Sequence, residues 1–323
     1  MTRMKAMVLA AGHGVRLRPL TQERAKPAIP LVGKPLILRI VEKFRRLGVD
    51  AFRINLHTLP ETVMGLFDLQ AGENSDVSFS YEKEILGTAG GLKANQSFFT
   101  EDTFLTVNGD IFFEFDVSQI LNFHKQRCPL ATLALYPQTH PYQHTPIQID
   151  PDFRIHSFVK ARQLLQKNKP AFVFTGVAIL SNKIFELIPS DTFSDIVPDV
   201  YEPSLASGFE ICGYPVKGYW NDLGAPSRYL ATQRDILGCV HNSPFIFLDR
   251  TAINKSPKIG PYVSVGPRSI IEDGCEIQDS ILWEDCHVLP GSRINHCIIG
   301  QGVTVQGDLE KKVITQNGVT TLE

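Results

Sequence analysis

Four short runs in this chain carry residues whose types and spacing could do chemistry. The first is Ala10-Ala11-Gly12-His13-Gly14-Val15-Arg16-Leu17-Arg18-Pro19-Leu20-Thr21, with Lys26-Pro27 just beyond it. Glycines let backbone N–H groups approach a polyphosphate, and arginine and lysine neutralise its charge. The run is not a dinucleotide fingerprint, because position 17 holds leucine where a third glycine would stand. It is not a GxxxxGK[ST] phosphate loop either. A bare GxG also occurs in ordinary turns; the cations around this one set it apart. The second run is Val107-Asn108-Gly109-Asp110, and the third is Tyr219-Trp220-Asn221-Asp222-Leu223-Gly224. An aspartate just past a strand end stands where open α/β sheets bind ligands. Either aspartate could instead serve a turn or cap a helix. The fourth run, Glu82-Lys83-Glu84-Ile85-Leu86-Gly87-Thr88-Ala89-Gly90-Gly91-Leu92, reads as a glycine-rich strand-to-helix turn.

These runs need elements to hold them. The apolar run over 5–10 predicts a buried strand entering the first loop. Residues 35–47 carry Leu36, Ile37, Ile40, Val41, Phe44 and Leu47 at helical spacing, with Pro35 suited to the first turn and Gly48 to the stop. Strands are expected over 51–56, 77–81, 103–107 and 130–135, and helices over 61–69, 91–98, 117–127 and 225–237. Two more apolar runs, 155–159 and 171–180, read as strands. The alternation predicts a Rossmann-like α/β domain with a mostly parallel sheet over residues 1–241.

Beyond about residue 245 the rhythm changes. Ile253, Ile259, Val265, Ile271, Ile277, Trp283 and Leu289 fall every sixth position. A hexapeptide period marks a parallel β-helix, with one inward residue per face. Residues 242–323 resemble the left-handed β-helix of the hexapeptide-repeat family. About 18 residues per triangular coil would give roughly three coils.

Composition bounds the partners. The chain has 323 residues, 32 basic and 34 acidic side chains, and a formal charge of −2. A basic excess for nucleic acid is missing. No apolar run reaches the ~18–20 residues that span a bilayer. The N-terminal run ends in Gly12-His13-Gly14, which reads as a first strand and not as a secretion signal. The six cysteines form no CxxC pair and are too sparse for a disulfide scaffold, so a cytoplasmic protein is expected. Cys275, Cys286 and Cys297 recur every eleven residues, a spacing foreign to an 18-residue coil, and are expected as buried small residues. His140 and His144 stand among prolines and are not read as a metal pair.

Across essentially its whole length, the sequence resembles the sugar-1-phosphate nucleotidyltransferases. The first run, with Lys26-Pro27, is similar to their triphosphate loop, although Val15 stands where many members have threonine. The resemblance implies that Ala10, Ala11, Gly12, Gly14, Glu82, Gly87, Thr88, Ala89, Gly90 and Asn108 meet the nucleotide. It implies that Arg16, Lys26, Asp110 and Asp222 are catalytic. Asp110 and Asp222 would hold Mg²⁺, which suits two carboxylates completed by phosphate and water. Gly109, Lys160, Thr175 and Gly176 would meet the sugar phosphate. Phe158-Val159-Lys160 resembles the family's F-x-E-K-P without its glutamate and proline. The Leu86-Gly87-Thr88-Ala89-Gly90-Gly91 segment resembles mannose-1-phosphate guanylyltransferases. Thr175-Gly176 is instead similar to uridylyltransferases acting on N-acetylmuramate 1-phosphate. The implied partners are a nucleoside triphosphate, with GTP leading, and a sugar 1-phosphate. A homo-oligomer through the β-helix is expected, with Leu282 and Trp283 as candidate contacts and a core position for Trp283 as the alternative its period offers. A non-catalytic regulatory homologue is the rival class; Arg16, Lys26, Asp110 and Asp222, all present, argue against it.

Overall fold

Ala6, Met7 and Val8 are fully buried, as a strand covered on both faces requires. They belong to β1 (Met4–Leu9), an interior strand of a mixed sheet. The computed structural model describes residues 4–68, 75–138, 145–158, 170–190, 192–240, 246–248 and 257–322. The chain forms two compact units by internal packing. The first is Met1–Gly12, Ile40–Pro60 and Met64–Trp220; the second is His13–Arg39, Glu61–Val63 and Asn221–Glu323.

In the first unit, β1 pairs in parallel with β2 (Val49–Leu56) and with β4 (Thr103–Asn108), and β2 pairs in parallel with β3 (Val77–Tyr81). Beyond β4 the sheet turns antiparallel at β5 (Phe172–Ser181). Helix α1 (Leu36–Leu47) buries Ile37, Ile40, Val41 and Phe44, and Gly48 ends it at φ +92. Helix α2 (Val117–Arg127) lies where the pattern placed it, with Asp116 accepting a bond from the Ser118 N–H at 2.9 Å. One helix starts earlier than its apolar spacing suggested. The expected 91–98 helix runs instead over Gly87–Ala94, so the glycine-rich turn is its first turn. Its N–H groups bond to Ser194, a distant partner that no local pattern shows. Among the described residues, no helix is long and apolar enough to cross a membrane.

Residues 257–322 of the second unit visit three sheets in turn, built from parallel strands until an antiparallel hairpin, Lys312–Thr315 with Gly318–Thr321, ends the largest of them. The first turn spans the expected eighteen residues, Lys258 pairing with Glu276, and the following ones are shorter. Ser264 pairs with Ile281 and Ile271 with Val288, both seventeen residues on. The cause lies in the corners. Left-handed residues mark them at Tyr262, Arg268, Gly274, Asp279, Asp285, Gly291 and His296, in steps of six, six and five. The short step at Asp279 shifts the register by one. Leu282 and Val288 therefore enter the coil core, not Trp283 and Leu289. Both candidate contact residues are buried, Leu282 at 2% and Trp283 at 1% exposure, so neither offers a surface for another copy. Two corners span eleven residues, which explains the cysteine spacing. Cys275, Cys286 and Cys297 each follow a left-handed corner residue and sit in the core, as their expected burial required. Burial pushes the Cys286 thiol up to about 12. Ile253, His140, His144 and Lys160 lie outside the described residues.

Candidate active site

In the first unit, the end of β1 is braced by buried polar groups. The Ala10 N–H donates to Asn55 Oδ1 at 2.8 Å, and Asn55 Nδ2 donates to Glu82 Oε1 at 2.7 Å. Glu82 Oε2 accepts from the Leu86 N–H at 3.0 Å. Glu82 is 4% exposed and serves here as a brace between strand ends. Gly91 packs against this brace. A Cβ there would lie 2.8 Å from both Asn55 Nδ2 and Glu82 Oε1.

The glycine-rich turn is likewise committed to protein. Ala89 and Gly90 donate their N–H groups to Ser194 O at 2.8 and 3.1 Å. Both residues are buried, so their amides are not available to a base. Thr88 Oγ1 donates to Asp195 Oδ1 at 3.3 Å and accepts from the Ile196 N–H at 2.8 Å. Gly87 adopts φ +76, and a Cβ there would fall 2.5 Å from Ser194 O.

The sugar-side residues separate into support and surface. Thr175 is 1% exposed; its Oγ1 donates to Ala134 O at 3.0 Å, and its carbonyl accepts from Trp220 Nε1 at 2.8 Å. It supports the register break between Phe174 and Ala178, where Thr175-Gly176 bulges from β5. Gly176 is at the surface of a cavity of about 300 Å³ and abuts Asn108, whose Nδ2 would lie 2.7 Å from a Cβ added there. Thr88, Asn108 and Gly176, from three separate runs, line this cavity together. Gly109 is buried, its N–H bonded to Leu9 O at 2.8 Å, and Asp110 follows it at intermediate exposure. Sequence reading missed Asp195, Ile196, Val197, Pro198 and Tyr201, which form one cavity wall. They lie on an irregular helical turn with no periodic signal. The one hint is an acidic residue, Asp195, ahead of an apolar cluster.

In the second unit, Gly14 takes φ +63 and its carbonyl accepts from Thr21 Oγ1 at 2.8 Å. Leu17 and Leu20 are buried, which leaves Arg16 exposed at the tip of a short turn. Lys26 opens another short turn, Lys26–Ala28, at intermediate exposure. Asp222 is paired with Arg228, its side chain 13% exposed. Gly12 belongs to the first unit and is open: a Cβ there would meet nothing within 4 Å. Ala11, of intermediate exposure, precedes it.

Asp110 and Asp222 are hard oxygen donors of the kind Mg²⁺ takes. Among the described residues, no group of three or more His, Cys, Asp or Glu could hold a metal.

Residues 5–238 match the family model described as Nucleotidyl transferase, and residues 242–320 match the GMPPB C-terminal domain. Mannose-1-phosphate guanylyltransferase 1 of Arabidopsis thaliana is 27% identical over 93% of this chain and 85% of its own length. UTP–glucose-1-phosphate uridylyltransferase of Synechocystis is 26% identical over 92% of this chain and 82% of its own. The crystal structure of HddC from Yersinia pseudotuberculosis complexed with GMP-PN superposes with a TM-score of 0.60 at 25% identity. It covers 71% of this chain and 97% of that one. The Nucleotidyl transferase model spans well over half of the sequence, and the chain belongs to that family.

Proposed function

We propose that this chain joins a nucleoside triphosphate to a sugar 1-phosphate, giving an NDP-sugar and pyrophosphate, with GTP and mannose 1-phosphate as the leading pair. The family match over 5–238 carries the reaction class. The GMPPB C-terminal match and the guanylyltransferases among the relatives favour that pair.

In this reading a phosphate oxygen of the sugar 1-phosphate attacks the α-phosphorus. The bond from the α-phosphorus to the β-phosphate bridging oxygen breaks, and that oxygen leaves on pyrophosphate. The nucleophile is already ionised at neutral pH, so positioning and charge neutralisation supply the acceleration. Mg²⁺ held by Asp110 and Asp222 would neutralise phosphate charge. Arg16 at the exposed turn and Lys26 would stabilise charge on the departing pyrophosphate. Of the residues lining the cavity, Thr88 and Asn108 would meet the nucleotide and Gly176, with Lys160, the sugar phosphate.

A second reading is uridylyl transfer to an amino-sugar 1-phosphate such as N-acetylmuramate 1-phosphate. The apolar side chains of Leu92, Phe174, Ile196 and Pro198 in the cavity wall favour it, because they suit an acyl or lactyl substituent better than a ring of hydroxyls. Pyrophosphate release across five triphosphates and several sugar 1-phosphates tests both. Fastest release from GTP with mannose 1-phosphate is expected. Preference for UTP with an amino sugar selects the second reading. No release from any pair removes both and favours a non-catalytic homologue. The three-sheet coil, read as the left-handed β-helix of hexapeptide proteins, would serve assembly through a surface other than Leu282 and Trp283.

A further inference from the structure

Lys26 is bracketed by two anchors within the second unit, one directly on the three-sheet coil and one through Tyr229 of the helix Pro226–Asp235. On its N-terminal side, Arg24 donates to Glu284 and, at 3.0 Å, to Gln301 Oε1. The Arg24 guanidinium also lies 4.9 Å from the centre of the Trp283 ring. Next to it, Glu23 Oε1 accepts from the Gln316 N–H at 2.7 Å. On the C-terminal side of Lys26, the Pro30 carbonyl accepts from the Tyr229 hydroxyl. That hydroxyl in turn accepts from Trp283 Nε1 at 3.1 Å. Trp283 thus fixes both ends of a seven-residue stretch. Tyr229 and Trp283 are essentially fully buried, and the side chain of Arg24 is 14% exposed. A planar guanidinium both stacked and hydrogen-bonded is held in one orientation, which an ammonium would not reproduce.

We propose that Arg24 is a positioning residue: clamped by Trp283, Glu284 and Gln301, it fixes the backbone from which Lys26 reaches the triphosphate. The inference rests on the reading of Lys26 as a triphosphate contact. It gives the coil a part in the chemistry without placing any of its residues on substrate. Displacements of about 1 Å at such a group cost on the order of 100-fold in rate.

The test is a double-mutant cycle read by GTP binding and by turnover. Arg24→Met keeps the apolar stem and removes the guanidinium. It should weaken GTP binding about tenfold and cut kcat by ~10–100-fold, while KM for the sugar 1-phosphate stays within twofold. In a Lys26→Ala background the same substitution should change GTP binding less than twofold, because the group it positions is gone. Glu284→Gln, which leaves the stacking in place, should show the same pattern at smaller size. It serves in place of Arg24→Met if that variant melts early. Equal losses in both backgrounds, equal shifts for both substrates, or no change in either variant would overturn the positioning role. If wild-type protein binds GTP and Lys26→Ala binds it equally well, the reading of Lys26 is what fails.

Discussion

Replacing Glu82 by alanine separates a brace from a ligand contact. The carboxylate accepts two bonds, from Asn55 Nδ2 at 2.7 Å and the Leu86 N–H at 3.0 Å, in a site where Glu82 is 4% exposed. Truncation leaves the buried Asn55 amide and the part-buried Leu86 N–H without an acceptor, at roughly 1–3 kcal/mol each, so the loss is about 4 kcal/mol. For a unit of this size, each kcal/mol lowers the melting temperature by about 2–4 °C, giving a fall of roughly 8–16 °C. Asn55 also accepts from the Ala10 N–H, so slackening it should reach the start of the first loop. Glu82→Gln keeps one acceptor oxygen and should recover part of the loss. Scanning calorimetry on wild type and both variants, with GTP binding measured well below the melting point, makes the comparison. An unchanged melting temperature combined with a large loss of GTP affinity would refute the brace and favour Glu82 as a nucleotide contact.

Gly176→Ala puts a methyl 2.7 Å from Asn108 Nδ2 at a position with φ +88, and should raise KM for the sugar 1-phosphate at least tenfold with KM for GTP little changed, as steady-state kinetics would show. Asp110→Asn and Asp222→Asn should each lower turnover on the order of 10²–10³-fold in the pyrophosphate assay while the circular dichroism spectrum stays folded. Burial lowers the His124 pKa to about 4, so the folded state binds fewer protons than the unfolded one. The stability this contributes is fully present above the unfolded value near 6.5 and is lost as pH falls toward 4. His124→Gln should flatten that acid limb in melting curves taken between pH 4 and 7, and an unchanged slope would count against it.

The parts legible in the sequence are those with a local cause. Helix 117–127 is readable because its apolar face lies within the segment itself. The first loop stood out because glycine, arginine and lysine together serve one kind of ligand. The coil was legible as a period, but its register was not, since a single left-handed residue at Asp279 shortens a corner and turns Trp283 away from the core. Long-range partners hid the remainder. Whether the amides of Ala89 and Gly90 face a base or a carbonyl depends on Ser194, far along the chain. Thr175 and Glu82 look like contacts by motif and serve as supports by position. Asp195 reaches the cavity through a turn that has no periodic signature.

The grouping of residues His13–Arg39 with Asn221–Glu323 has a consequence for how the protein opens. Segments that share buried side chains exchange their amide hydrogens together, as one cooperative foldon. The loop carrying Arg16 and Lys26 is joined to the coil through Arg24, Tyr229 and Trp283, so its protection should follow the coil and not the strand that precedes it in the chain. A cut at the sequence boundary near residue 241 would therefore divide a unit of cooperative unfolding. The piece that keeps the signature loop would lose the partners that order it.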